Sequence, residues 1–314
     1  MTLTLGTRGS TLALAQSRGV AEALERPGDL RIDLEVIQTS GDREQERPLP
    51  EIGGKGLFTE ELDRALLDGR VDLAVHSLKD LPTTIHPDLE LSCVPRRADP
   101  RDVLVGPRGS GVTLASLPAG SRLGTSSLRR RALALAFRPD IEVENIRGNV
   151  DTRLRKVDEH AYDAVVLAAA GLGRLGLTDR IDEWLEQTVW LPAPGQGALG
   201  IVSRKDDIRV KERLSRIEHP PSRAAVRAER ALLASLEGGC SLPIGALGLP
   251  YVGGLRLWGM VMSPDGRRLA RADLSDHASR PEDLGRRVAE TLRSRGADEI
   301  LQGAGRSLGS EPRS

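Results

Sequence analysis

With 314 residues, the chain is long enough for two or three domains and a substantial buried core. Its 45 lysines and arginines match 45 aspartates and glutamates, so net charge offers no basis for binding nucleic acid or a membrane, and an anion site requires local clustering. Cys93 and Cys240 are too few and too far apart in the sequence for a secreted disulfide scaffold, and a 2% aromatic content disfavours base-stacking surfaces.

The amino-terminal segment predicts a cytoplasmic protein. It enters a strand-like alternation at once, without the basic and apolar regions of a signal peptide. No run of about 18 apolar residues occurs, so we expect no membrane-spanning segment.

The first predicted unit is a strand over residues 2–5, a glycine-containing turn and a helix from about residue 11 to 24. Free N–H groups at the helix start, beside Arg8 and Ser10, suit an anion. Ser10 equally suits the commoner role of a helix N-cap. Further along, Lys55 precedes another predicted helix, where it is either a solvated charge or a lysine directed into a cleft.

Residues 73–75 form a short apolar run that predicts a buried strand, and polar groups follow it directly. These are His76, Ser77, Lys79 and Asp80. Open α/β sheets bind ligands at the carboxyl ends of their strands, which favours a functional site here. An ordinary solvated charge pair in a loop is the alternative that this segment alone leaves open.

Arginines stand where a helix disfavours them. Arg129, Arg130 and Arg131 fall in the first turn of a predicted helix, where the positive end of the macrodipole costs each cation about 0.3 to 1 kcal/mol. Arg153 and Arg155 repeat the pattern in a later helix. Hydroxyl groups and unpaired N–H groups converge on the same turns, so we predict a site for an anionic ligand.

Residues 171–176 match the glycine fingerprint of dinucleotide-binding proteins, so a nicotinamide enzyme is one hypothesis for the function. The surrounding sequence does not fit, because Thr178 follows after one turn and no acid ends the next predicted strand.

The remaining segments suggest a hinge and a third domain. Residues 191–197 are rich in proline and glycine, as in an interdomain crossing, and residues 198–202 predict a strand that rejoins the first domain. A helix over about 222–237 stops at two glycines, and Cys240 lies in the loop beyond them. A hairpin over residues 254–274 and a helix over about 281–295 complete the expected order.

Together these segments resemble the porphobilinogen deaminase (hydroxymethylbilane synthase) family of the tetrapyrrole and heme pathway. The resemblance covers nearly the whole chain, and its motifs occur in order at residues 7–10, 54–58, 76–80, 124–130, 147–150, 195–197 and 236–240.

The resemblance implies an α/β fold: two domains like those of periplasmic binding proteins flank a cleft, and a smaller α+β domain follows. The implied bounds are 1–98 with 198–216, then 99–197, then 217–303, with a disordered tail over 304–314. Pro194 departs from the flexible or aliphatic residue expected at its position in the predicted hinge.

The resemblance also implies a transferase that joins four porphobilinogen molecules head to tail into hydroxymethylbilane and releases ammonia at each addition. The chain grows from a dipyrromethane cofactor bound covalently through Cys240. A thiolate suits this attachment, and arginine and lysine suit the acetate and propionate groups that accumulate. A cytoplasmic monomer that passes its product to the next enzyme of the pathway is expected.

Asp80 is the implied catalytic residue. The implied cofactor-binding residues are Lys79, Thr125, Ser126, Ser127, Arg129, Arg130, Gly148 and Arg153. The implied substrate-binding residues are Arg8, Ser10, Gln16, Lys55, Ser77, Arg147 and Arg174. We interpret His76 as structural, and the histidine spacing predicts no metal site.

A non-catalytic two-domain anion-binding protein is the main alternative, because the architecture alone permits it. Such a protein has no need of a cysteine in a glycine-flanked loop or of Asp80 beside Lys79.

Overall fold

The computed structural model describes residues 1–39, 59–236 and 242–309, and the side chains of residues 305–309 are outside this description. The strands in these ranges are β1 (Thr2–Thr7), β2 (Arg31–Val36), β3 (Leu73–Ser77), β4 (Leu89–Cys93), β5 (Asp102–Val105), β6 (Arg122–Gly124), β7 (Glu142–Glu144), β8 (Ala164–Ala168), β9 (Glu183–Trp184), β10 (Leu199–Arg204), β11 (Ile244–Tyr251), β12 (Gly254–Met262) and β13 (Leu269–Asp276).

The α-helices in the same ranges are α1 (Thr11–Glu25), α2 (Glu60–Leu67), α3 (Leu128–Phe137), α4 (Val150–Asp158), α5 (Ala169–Arg174), α6 (Ile208–Leu214), α7 (Pro220–Ser235), α8 (Pro281–Ser294) and α9 (Ala297–Gly309). Two 3₁₀ turns cover Leu78–Asp80 and Thr178–Arg180. No helix of the described ranges is both long and apolar enough to cross a lipid bilayer.

Two five-stranded sheets share one plan. Their strand orders are β2-β1-β3-β10-β4 and β7-β6-β8-β5-β9. In each sheet the first three strands are parallel, and the fourth runs antiparallel to both of its neighbours. Helices connect the parallel strands, as short buried strands alternating with helical segments require.

Each sheet obtains its antiparallel strand at a crossing between the two sheets. Strand β10 returns to the first sheet after the second sheet is complete, and β5 enters the second sheet directly after β4. The first crossing (residues 94–101) leads from β4 to β5, and the second crossing (residues 185–198) leads from β9 to β10. The two crossings run side by side, because Ala98 N donates to Gly197 O at 3.2 Å and Arg97 Nε donates to Gln196 O at 2.8 Å. The strand that rejoins the first sheet is thereby confirmed.

The third sheet is antiparallel, in the order β11-β12-β13, with α7 and α8 packed against it. The hairpin of β12 and β13 matches the prediction, with Met262 opposite Leu269. Position 259 leaves no room for a side chain, because a Cβ there would lie 2.7 Å from Leu232 Cδ1. With this sheet, the α/β class with a smaller α+β carboxyl-terminal domain is confirmed.

Glu229 of α7 ties the third sheet's domain to both crossings. Its carboxylate is fully buried and accepts from Arg97 Nη1 at 2.6 Å and Arg97 Nη2 at 3.1 Å. It also accepts from the backbone N–H groups of Gly195, at 2.6 Å, and Gly248, at 2.7 Å. One carboxylate therefore connects the first crossing, the second crossing and strand β11.

The carboxyl-terminal segment differs from expectation. We expected disorder over residues 304–314, but α9 extends to Gly309, and residues 310–314 are outside the described part of the chain. Ala297, Ile300 and Ala304 are buried, at 0%, 5% and 0% exposure. These residues recur at helical spacing, so packing of this face stabilises the helix.

Candidate functional site

The carboxyl end of β3 opens into a cavity beside helix α1. Arg8, Ser10, Gln16, Ser77 and Asp80 line it, together with Leu12, Ala13, Thr59, Val75 and His76. Gln16 Nε2 donates to Ser77 Oγ at 2.9 Å, so α1 and β3 are joined by polar side chains at the cavity wall. The cavity therefore lies at the strand end where the sequence predicts a functional site.

Ser10 has both of the roles that its sequence position suggested. Its Oγ accepts from Ala13 N at 3.3 Å, which makes it the N-cap of α1. The residue also lines the cavity, next to Arg8. The first turn of α1 therefore presents its positive end and a guanidinium group to the same space.

Lys79 and Asp80 belong to the 3₁₀ turn that follows β3. Lys79 is half-buried and Asp80 is exposed. Burial lowers the pKa of Lys79 to about 8, the carboxylates of Asp80 and Asp102 oppose this, and the charges of Arg130 and Arg129 reinforce it. Arg129 and Arg130 belong to α3 and Asp102 to β5, so this turn beyond β3 of the first sheet lies close enough to the second sheet and its helices for their charges to act on Lys79.

Asp102 explains why arginines occupy the start of α3. Its buried carboxylate accepts from Arg129 Nη1 at 2.7 Å and from Arg130 Nη2 at 2.7 Å. Arg130 Nε at 3.1 Å, Trp190 Nε1 at 3.1 Å and Gln196 Nε2 at 2.8 Å also donate to it. These cations hold the pKa of Asp102 well below its usual range although burial opposes them.

The sequence did not reveal this cluster. The helix dipole alone makes the arginines look misplaced, but the buried Asp102 offsets their charge. An acid at the head of an otherwise apolar strand, residues 102–105, was the available signal. Arg131 lies apart from the cluster, since its Nη1 donates to Val143 O at 2.6 Å.

Arg153 lies close enough to Arg130 and Arg147 for their charges to act on it. Burial lowers the pKa of Arg153 to about 10, the charges of Arg130 and Arg147 add to the effect, and Asp80 opposes it. Its Nε donates to Gly148 O at 2.9 Å. Mutual repulsion among these cations is what a bound polyanion relieves, so the residues present suit a ligand with several carboxylates.

Arg174 and Gly148 have structural constraints of their own. Arg174 Nη2 donates to Gly197 O at 2.8 Å, and burial lowers the pKa of Arg174 to about 10. Gly148 has a φ of +107°, and a Cβ there would lie 2.5 Å from Thr152 Cγ2. Only glycine fits this turn, which leads into α4.

The three hydroxyl residues ahead of α3 stabilise the loop in which they lie. Thr125 Oγ1 accepts from Ser127 N at 3.2 Å, and Ser126 Oγ donates to Ile146 O at 2.7 Å. Ser127 caps α3 by accepting from Arg130 N at 3.4 Å. These contacts hold the loop between β6 and α3 against the loop that follows β7.

Comparison with known proteins identifies the family. The family model described as "Porphobilinogen deaminase, dipyromethane cofactor binding domain" matches residues 3–212. The model described as "Porphobilinogen deaminase, C-terminal domain" matches residues 223–294. The chain belongs to the porphobilinogen deaminase family.

Individual porphobilinogen deaminases match over nearly their full length. The protein of Roseiflexus castenholzii is 51% identical over 303 residues, which cover 96% of this chain and 99% of that protein. The protein of Desulforudis audaxviator is 52% identical over 298 residues, which cover 95% and 96%. The predicted family, the transferase class and the dipyrromethane cofactor are confirmed by these matches.

Among solved structures, immunogenic lipoprotein A of Vibrio vulnificus is similar with a TM-score of 0.43. The sequences are 10% identical over 72% of this chain and 99% of that one.

The glycines of the dinucleotide fingerprint lie in a different structural context in this chain. Gly171 and Gly173 lie inside the short helix α5, and Gly176 follows it with a φ of +70°. The fingerprint requires the glycines to precede a long helix whose N-terminus binds pyrophosphate. The nicotinamide hypothesis is therefore wrong.

Two of the predicted site residues, Lys55 and Cys240, lie outside the described residues. The other cysteine, Cys93, is buried in the first domain, and its Sγ donates to Leu214 O at 3.4 Å. Burial raises the pKa of the Cys93 thiol, so it is protonated and unreactive at neutral pH. Cys93 therefore has none of the properties of an attachment site.

Proposed function

We propose that this chain is a hydroxymethylbilane synthase whose chemistry takes place between the Lys79–Asp80 turn and the arginines of the second domain. The observation that carries the proposal is the electrostatic coupling across this space, where Asp80 opposes the lowered pKa values of both Lys79 and Arg153. One exposed carboxylate is thereby placed among cations that suit a polyanionic ligand.

The dipyrromethane cofactor, when bound through Cys240, supplies the free pyrrole position to which substrate units are added. Lys79, Arg129, Arg130 and Arg153 would hold its carboxylates, and Thr125, Ser126, Ser127 and Gly148 would form the loops around it. These residues fit the group, because they bring several cations close together and the charges of these cations lower one another's pKa values.

Porphobilinogen enters the cavity at the carboxyl end of β3 in this proposal. Arg8, Ser10, Gln16 and Ser77 line this cavity, and they supply a guanidinium, an amide and hydroxyl groups to orient a pyrrole with two carboxylate arms. Arg147 and Arg174 would contact the lengthening product, and Lys55 would approach from the segment ahead of α2.

Asp80 is the catalytic group of the proposal. Loss of ammonia from porphobilinogen leaves positive charge on the pyrrole, and a fixed carboxylate stabilises that charge. The same carboxylate accepts and returns protons at the reacting positions. Its exposure to the cavity suits both tasks.

The proposal includes three domains with bounds 1–98 plus 198–216, 99–197 and 217–303. The exchange of strands β5 and β10 at the two crossings supports this division. It also includes a monomer in the cytoplasm that delivers hydroxymethylbilane to the next enzyme of the pathway. Light scattering of the purified protein that gives a dimer mass would contradict the monomer.

Intact mass spectrometry tests attachment of the cofactor. We expect an excess mass equal to two pyrrole units in the parent protein and none in Cys240→Ser. Cys93→Ala is the matched control, and it should keep the excess because Cys93 is buried away from the cleft. An active parent protein without added mass, or the same excess in Cys240→Ser, contradicts the proposal.

A further inference from the structure

Arg230 of α7 binds the backbone directly beyond the Lys79–Asp80 turn. Its Nη1 donates to Leu81 O at 2.9 Å, and its Nη2 donates to Pro82 O at 2.7 Å and to Thr83 O at 3.3 Å. Residues 81–83 belong to no helix or strand, so their carbonyl groups have no partner in a ladder. An arginine suits this position, because its two terminal nitrogens reach different carbonyl groups at the same time.

The residue before Arg230 in α7 also restrains the turn. Glu229 accepts from Gly195 N at 2.6 Å, and the backbone of Gly195 packs against the turn, since a Cβ there would lie 3.2 Å from Lys79 N. Two consecutive residues of one helix thus hold the turn that carries Asp80. Glu229 acts through the second crossing, and Arg230 acts through the segment that follows the turn.

The position of the Asp80 carboxylate depends on its backbone, because the side chain is exposed. Leu78 N donates to Ala198 O at 3.0 Å, and this bond fixes the start of the turn beside β10. The bonds from Arg230 to residues 81–83 fix the segment in which the turn ends. A displacement of about 1 Å in a reacting group can lower a rate about 10²-fold, so the fixation of this segment matters for catalysis.

Helix α7 also leads toward the proposed attachment point of the cofactor. The helix ends at Ser235, and Cys240 follows in the chain, outside the described residues. The helix that restrains the Asp80 turn is therefore the one that precedes the cofactor loop. A contact between α7 and the turn bears on the distance between the carboxylate and the cofactor.

We propose that Arg230 is a positioning residue that holds the Asp80 carboxylate in place relative to the cofactor by binding the carbonyl groups of residues 81–83. In this role the guanidinium acts through the backbone and not on the substrate. The inference rests on the proposed function, because it assigns the support of the catalytic aspartate.

Arg223 of the same helix offers a matched control. Its Nη1 donates to Leu91 O at 3.1 Å and its Nη2 donates to Ser92 O at 2.8 Å, so it binds carbonyl groups of β4 in the same manner. It also pairs with Glu218, so Arg223→Met should lower the Tm. Arg223→Met thus removes a contact between α7 and the first sheet without releasing the segment beyond the turn.

We expect Arg230→Met to lower kcat for hydroxymethylbilane synthesis about tenfold or more with KM within about threefold, and Arg223→Met to keep both within about threefold. Intact mass spectrometry normalises each rate to the protein that carries the cofactor. Arg230→Lys is a milder variant, since it keeps the charge and replaces two terminal nitrogens by one, and its kcat should fall about threefold or more. A kcat equal to that of the parent in either folded variant would overturn the proposal.

The double variant Asp80→Asn/Arg230→Met tests whether Arg230 acts through Asp80. Residues that act as a unit have non-additive effects, so we expect its kcat to lie within about threefold of that of Asp80→Asn alone. A further tenfold loss would mean that Arg230 acts independently of Asp80, and it would overturn the proposal.

The outcomes for the two arginines separate this inference from the proposed function. Absence of hydroxymethylbilane synthesis by the parent protein would refute the proposed function. Equal kcat losses in Arg230→Met and Arg223→Met would show that packing of α7 on the first sheet matters as a whole, and they would refute the role of Arg230 alone.

Discussion

Asp80 and Lys79 share one 3₁₀ turn but differ in their surroundings. Asp80 is exposed to the cavity, whereas Lys79 is half-buried against the cations of the second domain. In the proposed function these two neighbours have different roles: the carboxylate of Asp80 acts on the reacting atoms, and the ammonium group of Lys79 binds an anion.

For Asp80→Asn, we expect kcat to fall by about a hundredfold or more, because general acid and base catalysis contributes about 10² to 10⁴ in rate. The exposed side chain leaves folding and the mass of the attached cofactor unchanged. Steady-state synthesis of hydroxymethylbilane measures the loss. Asp88→Asn, an exposed acid beyond the end of this turn, should retain full activity, and a kcat for Asp80→Asn within a few-fold of the parent would refute the assignment.

The pKa of Lys79 should depend on whether the cofactor is attached. In Cys240→Ser protein without cofactor, we expect Lys79 to titrate with a pKa of about 8, so its charge is lost as the pH rises through 8. Bound carboxylates stabilise the charged form, so the pKa should be higher in the cofactor-carrying protein. NMR of labelled lysine side chains measures both values, with Lys79→Gln as the assignment control. Equal pKa values in the two proteins would show that Lys79 does not contact the cofactor.

Among the elements, the second crossing controls the position of the Lys79 turn. Gly195 has a φ of +77°, and a Cβ there would lie 3.2 Å from both Leu78 C and Lys79 N. The crossing and the turn are packed backbone to backbone, so a side chain at position 195 would displace the turn that presents Asp80.

Gly195→Ala should therefore lower both stability and activity. The left-handed backbone alone costs a non-glycine residue about 1 to 2 kcal/mol. Gly176→Ala is the matched control, because Gly176 has a φ of +70° but no atom within 4 Å of its added Cβ. We expect similar losses of unfolding free energy from the backbone term in both variants and a kcat loss of about tenfold or more only in Gly195→Ala. Equal activities would mean that the contact with Lys79 is unimportant.

The sequence predicted most elements because apolar periodicity reports which face of each element is buried. It missed β11, since Gly245, Gly248 and Pro250 are poor strand formers. The structure gives the reason for the glycines: a Cβ at position 248 would lie 3.0 Å from Ala225 Cα, and one at 245 would lie 2.9 Å from Leu191 Cβ. Contacts between distant segments override local propensity here.

The site was predictable to a similar extent. A strand that ends in polar residues indicated Ser77, Lys79 and Asp80. The acid at position 102 stood out in an apolar strand, but its partners could not be predicted, because Arg129 and Gln196 are 27 and 94 positions away in the sequence. Long-range ion pairs leave no periodic signal, so arginines at a helix start suggested only a ligand.

At the scale of the molecule, Glu229 joins three segments with one buried carboxylate. It binds Arg97 and the N–H groups of Gly195 and Gly248, and it has no exposed surface. A buried ion pair that loses one partner leaves an uncompensated charge, which costs about 3 to 5 kcal/mol. Loss of the Glu229 carboxylate should therefore weaken the contacts of the third sheet and its helices with both crossings at the same time.

We expect Glu229→Gln to lower the free energy of unfolding by about 3 to 5 kcal/mol, as measured by urea denaturation. Glu282→Gln is the matched control, since Glu282 forms an exposed ion pair with Arg227 and such pairs contribute about 0 to 1 kcal/mol. Similar effects of the two substitutions would mean that the buried carboxylate does not stabilise the crossings.

The exchange of strands between the two sheets sets the order in which a nascent chain can complete them. All five strands of the second sheet lie between Asp102 and Trp184, so they leave the ribosome as one continuous block. The first sheet begins earlier but lacks β10, which separates β3 from β4, until Arg204 has been synthesised. The domain that starts first at the amino terminus is thus the later of the two whose hydrogen-bonded ladder can close.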